Sequence, residues 1–205
     1  MLHRITLVAC LAIGVSACAS GAVEPPTSAP PPVAVTRTHA PYTEADVAFM
    51  QGMIAHHGQA LEMTALVPAR STNQMLHALS ARIEQTQLNE IERMVGWLEA
   101  RGETVPDPAA YREHSAGGHE DHSGHMPGML TPAEMAQLAG ASGTQFDRLF
   151  LESMIRHHEG ALTMVAELQA AGGGNEAEVY IFAADVDADQ RAEIARMQSM
   201  LNQIQ

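Results

Sequence analysis

The sequence predicts an all-α protein, a four-helix bundle made of two duplicated helical hairpins. Three observations carry that prediction. A phrase recurs: residues 53–63 read MIAHHGQALEM and residues 154–164 read MIRHHEGALTM, an offset of 101, with Asp46 and Phe49 aligning on Asp147 and Phe150. A second phrase, Gln87-x-x-Glu90-Ile91-x-x-Met94-x-x-Trp97-Leu98, returns at an offset of 103 as Gln190-x-x-Glu193-Ile194-x-x-Met197-x-x-Met200-Leu201. Two phrases repeating in the same order mark an internal duplication. Leu76, Leu79, Ile83, Ile91, Met94 and Leu98 keep helical spacing. With aromatics at 4% and thirteen methionines, a helical core of Leu, Ile, Ala and Met fits better than a β-sandwich.

The chain opens with an address. His3 and Arg4 precede an apolar run from Ile5 to Val15, and Val15-Ser16-Ala17-Cys18 resembles a bacterial lipoprotein cleavage box. Residues 1–17 are expected to be a signal peptide, leaving Cys18 as a lipidated N-terminus; an ordinary secretory signal cut nearby is the alternative. Cys10 would leave with the signal, so soft-metal chemistry in the mature chain would fall to Met and His. Residues 18–41 carry six prolines among small residues and read as an extended tether.

Residues 42–205 form the duplicated domain, with hairpins over 42–101 and 145–205 and a connector over 102–144. The first helix should open at Thr43, where Thr43-x-x-Asp46 resembles a capping box, and stop before Pro68. The second should run from Ser71 or Thr72 to Arg101, with Gly102 as its stop. Thr131-Pro132-x-Glu134 predicts a short helix over 132–140. A long helix then spans Gln145 to Ala171, and the last opens at Asn175 with Glu178 as its capping-box acid. A helix of ~27 residues is ~40 Å long. The connector can cross that distance, which makes the topology ferritin-like, with one long His-rich crossover. A lone hairpin could not bury its apolar face, so one domain is expected.

At 100° per residue, Met53, His56, His57 and Met63 share one stripe of the first long helix, and Met154, His157, His158 and Met164 share the equivalent stripe of the third. These stripes hold most of the large apolar residues of their helices, so they should face the interior and carry four imidazoles with them. Buried imidazoles must be hydrogen-bonded or ligated. In one reading they are core residues satisfied by Gln87, Glu90, Gln190 and Glu193 on the inner faces of the other helices. In the other, they bind a metal and the same residues orient the rings. His57 and His158 are the first choice of ligands; His56 and His157 either bind too or are held by Glu90 and Glu193. Thioether selects Cu(I) and imidazole accepts copper and zinc. Neither copy contains Glu-x-x-His, so a carboxylate di-iron centre lacks its motif. The connector adds His114, His119, His122, His125, Met126 and Met129, a composition that reads as a weaker capture loop.

The net charge of -13 argues against nucleic acid or an anionic membrane surface as partner and is compatible with cations. No nucleophile motif, phosphate loop or dinucleotide fingerprint is present.

The doubled His-His phrase, the Gln-x-x-Glu-Ile phrase and the connector end GMLTPAEMAQLAGASG resemble the bacterial family called domain of unknown function 305, over about residues 42–204. That resemblance implies a ferritin-like fold, a place outside the cytoplasm and, as in some members, copper binding. It would place ligands among Met53, His56, His57, Met63, Met154, His157, His158 and Met164. Leu151 stands where the first copy has Met50, so the half-sites differ in donors. The expectation is a lipid-anchored protein of the cell envelope that buffers or sequesters copper, touching the membrane through its N-terminal lipid alone. A metal-dependent oxidase of Cu(I) on the same site and a partner-binding helical module are the rivals. The oligomeric state is left open.

Overall fold

The computed structural model describes residues 41–109 and 126–204; Cys18, His114, His119, His122 and His125 lie outside these. Among the described residues there are five α-helices and no strand. Helix α1 (Glu44–Arg70) opens on a complete capping box: Thr43 Oγ1 accepts from Asp46 N, and the Asp46 carboxylate accepts from Thr43 N at 2.7 Å. It does not stop before Pro68, which lies inside its last turn. A proline there removes one N–H bond only. Val67, fully buried, and the bond from Ser71 N to Val67 O hold the turn closed.

Because Ser71 closes α1, it cannot also open the next helix. Helix α2 (Gln74–Arg101) starts later than expected, capped by Asn73, whose side-chain oxygen accepts from Met75 N and Leu76 N. It ends at Gly102, whose φ of 70° is the left-handed conformation that favours glycine. Helix α3 (Pro132–Gly140) has the expected capping box between Thr131 and Glu134. Helix α4 (Gly143–Ala170) starts slightly before Gln145. Helix α5 (Ala177–Leu201) is capped by Glu176 and not by Asn175. The Glu176 carboxylate is held by Trp97 Nε1 at 3.3 Å and Arg101 at 3.4 Å, so a contact between hairpins fixes the cap.

The four long helices form the bundle. α1 packs on α2, α4 on α5, and α1 against α4. Arg93 to Asp185 and Arg101 to Glu178 bridge α2 and α5. Gly174 N donates to Asp46 at 2.6 Å, which places the end of α4 beside the start of α1. α1 and α4 are therefore antiparallel, and the connector must travel the length of the bundle to reach the start of α4. This is the ferritin-like arrangement of two hairpins and one crossover.

The interior divides in two. One apolar cluster holds Met53, Met94, Met164 and Val186; the other holds Met63, Ile83, Met154 and Met197. On each long helix a pair of buried polar residues falls between a member of one cluster and a member of the other. These are His56 and His57 on α1, Gln87 and Glu90 on α2, His157 and His158 on α4, and Gln190 and Glu193 on α5. A polar layer thus crosses the middle of an otherwise apolar bundle.

The connector limbs lie against this layer. Gln51 Nε2 donates to Thr104 O at 2.8 Å, and a Cβ at Gly58 would collide with the Pro108 carbonyl oxygen. At Gly96, on the exposed side of α2, an added Cβ meets nothing within 4 Å. Gly96→Ala should stabilise the fold by ~0.5–1 kcal/mol through helix propensity. Gly58→Ala should cost ~1–3 kcal/mol, because helix or limb must shift. Urea denaturation of the two variants gives opposite signs if the limb is seated as described.

Candidate metal centre

Each half-site begins with an adjacent His pair on one helix and a carboxylate on its hairpin partner. His57 Nε2 lies 2.6 Å from Glu90 Oε2, and His158 Nε2 lies 2.7 Å from Glu193 Oε2. The carboxylates accept, so both rings carry their proton on Nε2. Glu90 and Glu193 therefore hold the outer rings, not His56 and His157. Gln87 and Gln190 are buried in the same layer, with Gln87 Oε1 and both polar atoms of Gln190 lacking a hydrogen-bond partner.

His56 and His157 meet at the centre, with ring centroids 3.8 Å apart and planes tilted by 36°. Each lies 6.3 Å from the outer ring of its own helix. The run His57, His56, His157, His158 is a row of four buried imidazoles. His56 Nε2 donates to the Pro127 carbonyl at 3.0 Å, while neither nitrogen of His157 has a partner. Duplication gave both halves the same rings but not the same surroundings.

The expected sulfur donors flank the row. Met53 and Met164 share the apolar cluster on one side; Met63 and Met154 share the cluster on the other. Met126 Sδ and Met164 Cε both approach Gly52, and Met129 is buried against Ala55. Among the described residues no three His, Cys, Asp or Glu side chains converge as a ready-made cation cluster. Among the described residues a four-donor zinc site is therefore not preassembled.

The nitrogens themselves fit a soft cation. All four Nδ1 atoms are buried without a hydrogen-bond partner. For His56, His57 and His158 the proton sits on Nε2, which leaves Nδ1 a bare lone pair. Commitment of one ring nitrogen to an oxygen is how a protein presents the other to a metal. Imidazole nitrogens from the central pair, with thioethers in the flanking clusters, are donor types that Cu(I) accepts.

Sequence reasoning missed Pro127, Gln59 and Gly160. The signals were present: Pro127-Gly128 is a turn dipeptide, and a glycine follows each His pair inside a helix, where it marks a close backbone approach.

Burial first, and then the neighbouring His57, push His56 down to about 3 from 6.5. Burial, and then His56, hold His157 well below 6.5. Both rings stay neutral in the folded chain while the unfolded chain binds protons below ~6.5. The unfolded state then holds more protons, so stability is complete above pH ~6.5 and declines as pH falls toward the folded values. The decline is up to ~1.4 kcal/mol per pH unit per ring. Urea titrations of the metal-free protein between pH 7 and 4 should show it, and the double variant His56→Gln, His157→Gln should flatten it.

The family model described as Domain of unknown function (DUF305) matches residues 46–201. Among solved structures, a DUF305 fragment from Deinococcus radiodurans is 30% identical with a TM-score of 0.67, covering 80% of this chain and 99% of that one. A DUF305 protein of Streptomyces coelicolor, assigned as secreted, is 29% identical with a TM-score of 0.65, covering 78% and 93%. CopM in its Cu(II)-bound form is 26% identical with a TM-score of 0.61, covering 77% and 96%. No curated protein matches the chain. With its helical repeat and the family match across most of its length, the chain belongs to the DUF305 family.

Proposed function

We propose that this protein binds copper as cargo at the buried imidazole row and buffers or sequesters it outside the cytoplasm. One observation carries the reading: four fully buried imidazoles have unpartnered Nδ1 atoms, while three of the Nε2 atoms are committed to Glu90, Pro127 and Glu193. Leaving so many polar atoms unsatisfied costs ~1–3 kcal/mol each. A cation arriving between the central rings would satisfy a nitrogen of each. His56 and His157, the central pair, are the inner ligands; His57 and His158 supply the outer nitrogens. Glu90 and Glu193 raise the basicity of the outer rings and fix their orientation. Met53, Met63, Met154 and Met164 supply soft donors on either side and favour Cu(I) over Zn(II).

Support from relatives is of the same kind, since CopM is known with Cu(II) bound. An extracytoplasmic place is supported by the neighbour assigned as secreted and by the signal-like residues 1–17. In this reading Cys18 carries the lipid, residues 18–41 tether the domain, and His114, His119, His122 and His125 form a weaker capture loop. Met129, buried against Ala55, and Met126, packed beside it, belong to the seated end of the connector and not to that loop.

Cu(I) or Ag(I) at a hundredfold excess over Kd should add ~2.7 kcal/mol of stability. That raises Tm by roughly 5–10 °C for a domain of this size. The variant His56→Gln, His157→Gln should lose most of that shift. A Tm indifferent to Cu(I), Ag(I) and Cu(II) sinks the copper reading, and an undiminished shift in the double variant moves the site elsewhere. Separately, Cys18→Ala should release the protein from the membrane fraction and abolish incorporation of labelled fatty acid.

A further inference from the structure

Three backbone contacts in the described chain are so close that only glycine permits them, and all three bring the connector against α1 or α4. Gly58 faces Pro108; Gly160 faces the Pro127 carbonyl; Gly128, at φ 75°, faces the Arg156 carbonyl. The last two face each other across one junction and seat the segment 126–130 directly beside the His157–His158 pair. Its far end is clamped as well. The Gln59 side chain, buried on α1, donates to Leu130 O at 2.9 Å and accepts from Leu130 N at 2.7 Å. Beyond it, Glu134 of α3 pairs with Arg156 of α4 at 2.7 Å. Between these anchors the Pro127 carbonyl reaches His56 Nε2 at 3.0 Å.

A clamp at both ends of a five-residue segment is more than covering an apolar face requires. A peptide carbonyl can only accept, so its approach compels His56 to carry its proton on Nε2. His157, which occupies the same place in the second repeat, has no such partner. We propose that the segment Met126–Leu130 is a strap that locks His56 in the tautomer with a bare Nδ1, which makes Gly160, Gly128 and Gln59 positioning residues for the imidazole row. The inference deepens the copper reading and rests on it for its purpose, but the tautomer is a property of the metal-free chain.

The test uses the full mature chain with 15N-labelled histidine and no metal. His56 in the wild type should show a protonated Nε2 and an unprotonated Nδ1. Gly160→Ala pushes the strap off through the Pro127 carbonyl, and Gln59→Leu unclamps Leu130 while keeping the side chain's bulk. Each variant should mix the two His56 tautomers and leave those of His57 and His158 unchanged. Ag(I) affinity should fall about tenfold, the lower end of what loss of an orienting partner costs. Gln59→Leu keeps the test decisive if Gly160→Ala fails to fold. A wild-type His56 protonated on Nδ1, or a His56 spectrum unchanged in Gln59→Leu, overturns the proposal. If the tautomer responds but wild-type protein takes up no Ag(I), the strap stands and the copper reading falls.

Discussion

Two imidazoles pressed together at 3.8 Å inside an apolar bundle can both persist only as neutral rings. Desolvation and mutual repulsion each disfavour the charged form, and here they act on the same pair. Much of the surrounding structure answers to that requirement. The outer rings are pinned by carboxylates from the partner helices, which engages their Nε2 atoms. The two apolar clusters above and below exclude solvent from the layer. Hydrophobic burial supplies the stability that lets the layer retain unpartnered nitrogens; a single fully buried Met or Leu contributes ~1.5–3 kcal/mol.

Duplication makes this layer cheap to specify, because one hairpin sequence encodes half of it twice. The offset of 101 between the His phrases and 103 between the Glu phrases is absorbed in the loop between each pair of helices. Both copies still place His57 on Glu90 and His158 on Glu193 at nearly equal distances. Symmetry ends at the connector, which exists once. Its returning limb can serve only one of the two central rings, and it serves His56. A duplicated bundle with a single crossover therefore produces an unequal pair of central rings although both repeats supply the same His pair.

Most of the fold was legible because it rests on local signals: caps at Thr43 and Thr131, the glycine stop at Gly102, and apolar spacing. The interior position of the four rings was legible too, since helical period alone decides it. Which ring each carboxylate holds was not. Neighbouring residues on a helix differ by 100° in direction, and only the packing of α1 on α2 determines that Glu90 meets His57 and not His56. Glu176 displaced Asn175 as a cap for a similar reason, because Trp97 and Arg101 come from the other hairpin. Pro68 misled by rule: proline breaks a helix interior, but it sits in the last turn, where one lost bond changes little.

The inequality of the central pair bears on how a cation would enter a layer that is shut on every side. The connector holds His56 through the Pro127 carbonyl, whereas His157 meets no connector group and is held by its packing against His56. Turning His157 disturbs its packing, whereas turning His56 also breaks the bond to Pro127, worth ~0.5–1.5 kcal/mol. In the proposed copper site, His56 is thus the ring whose orientation the connector fixes, and His157 the one held by packing alone.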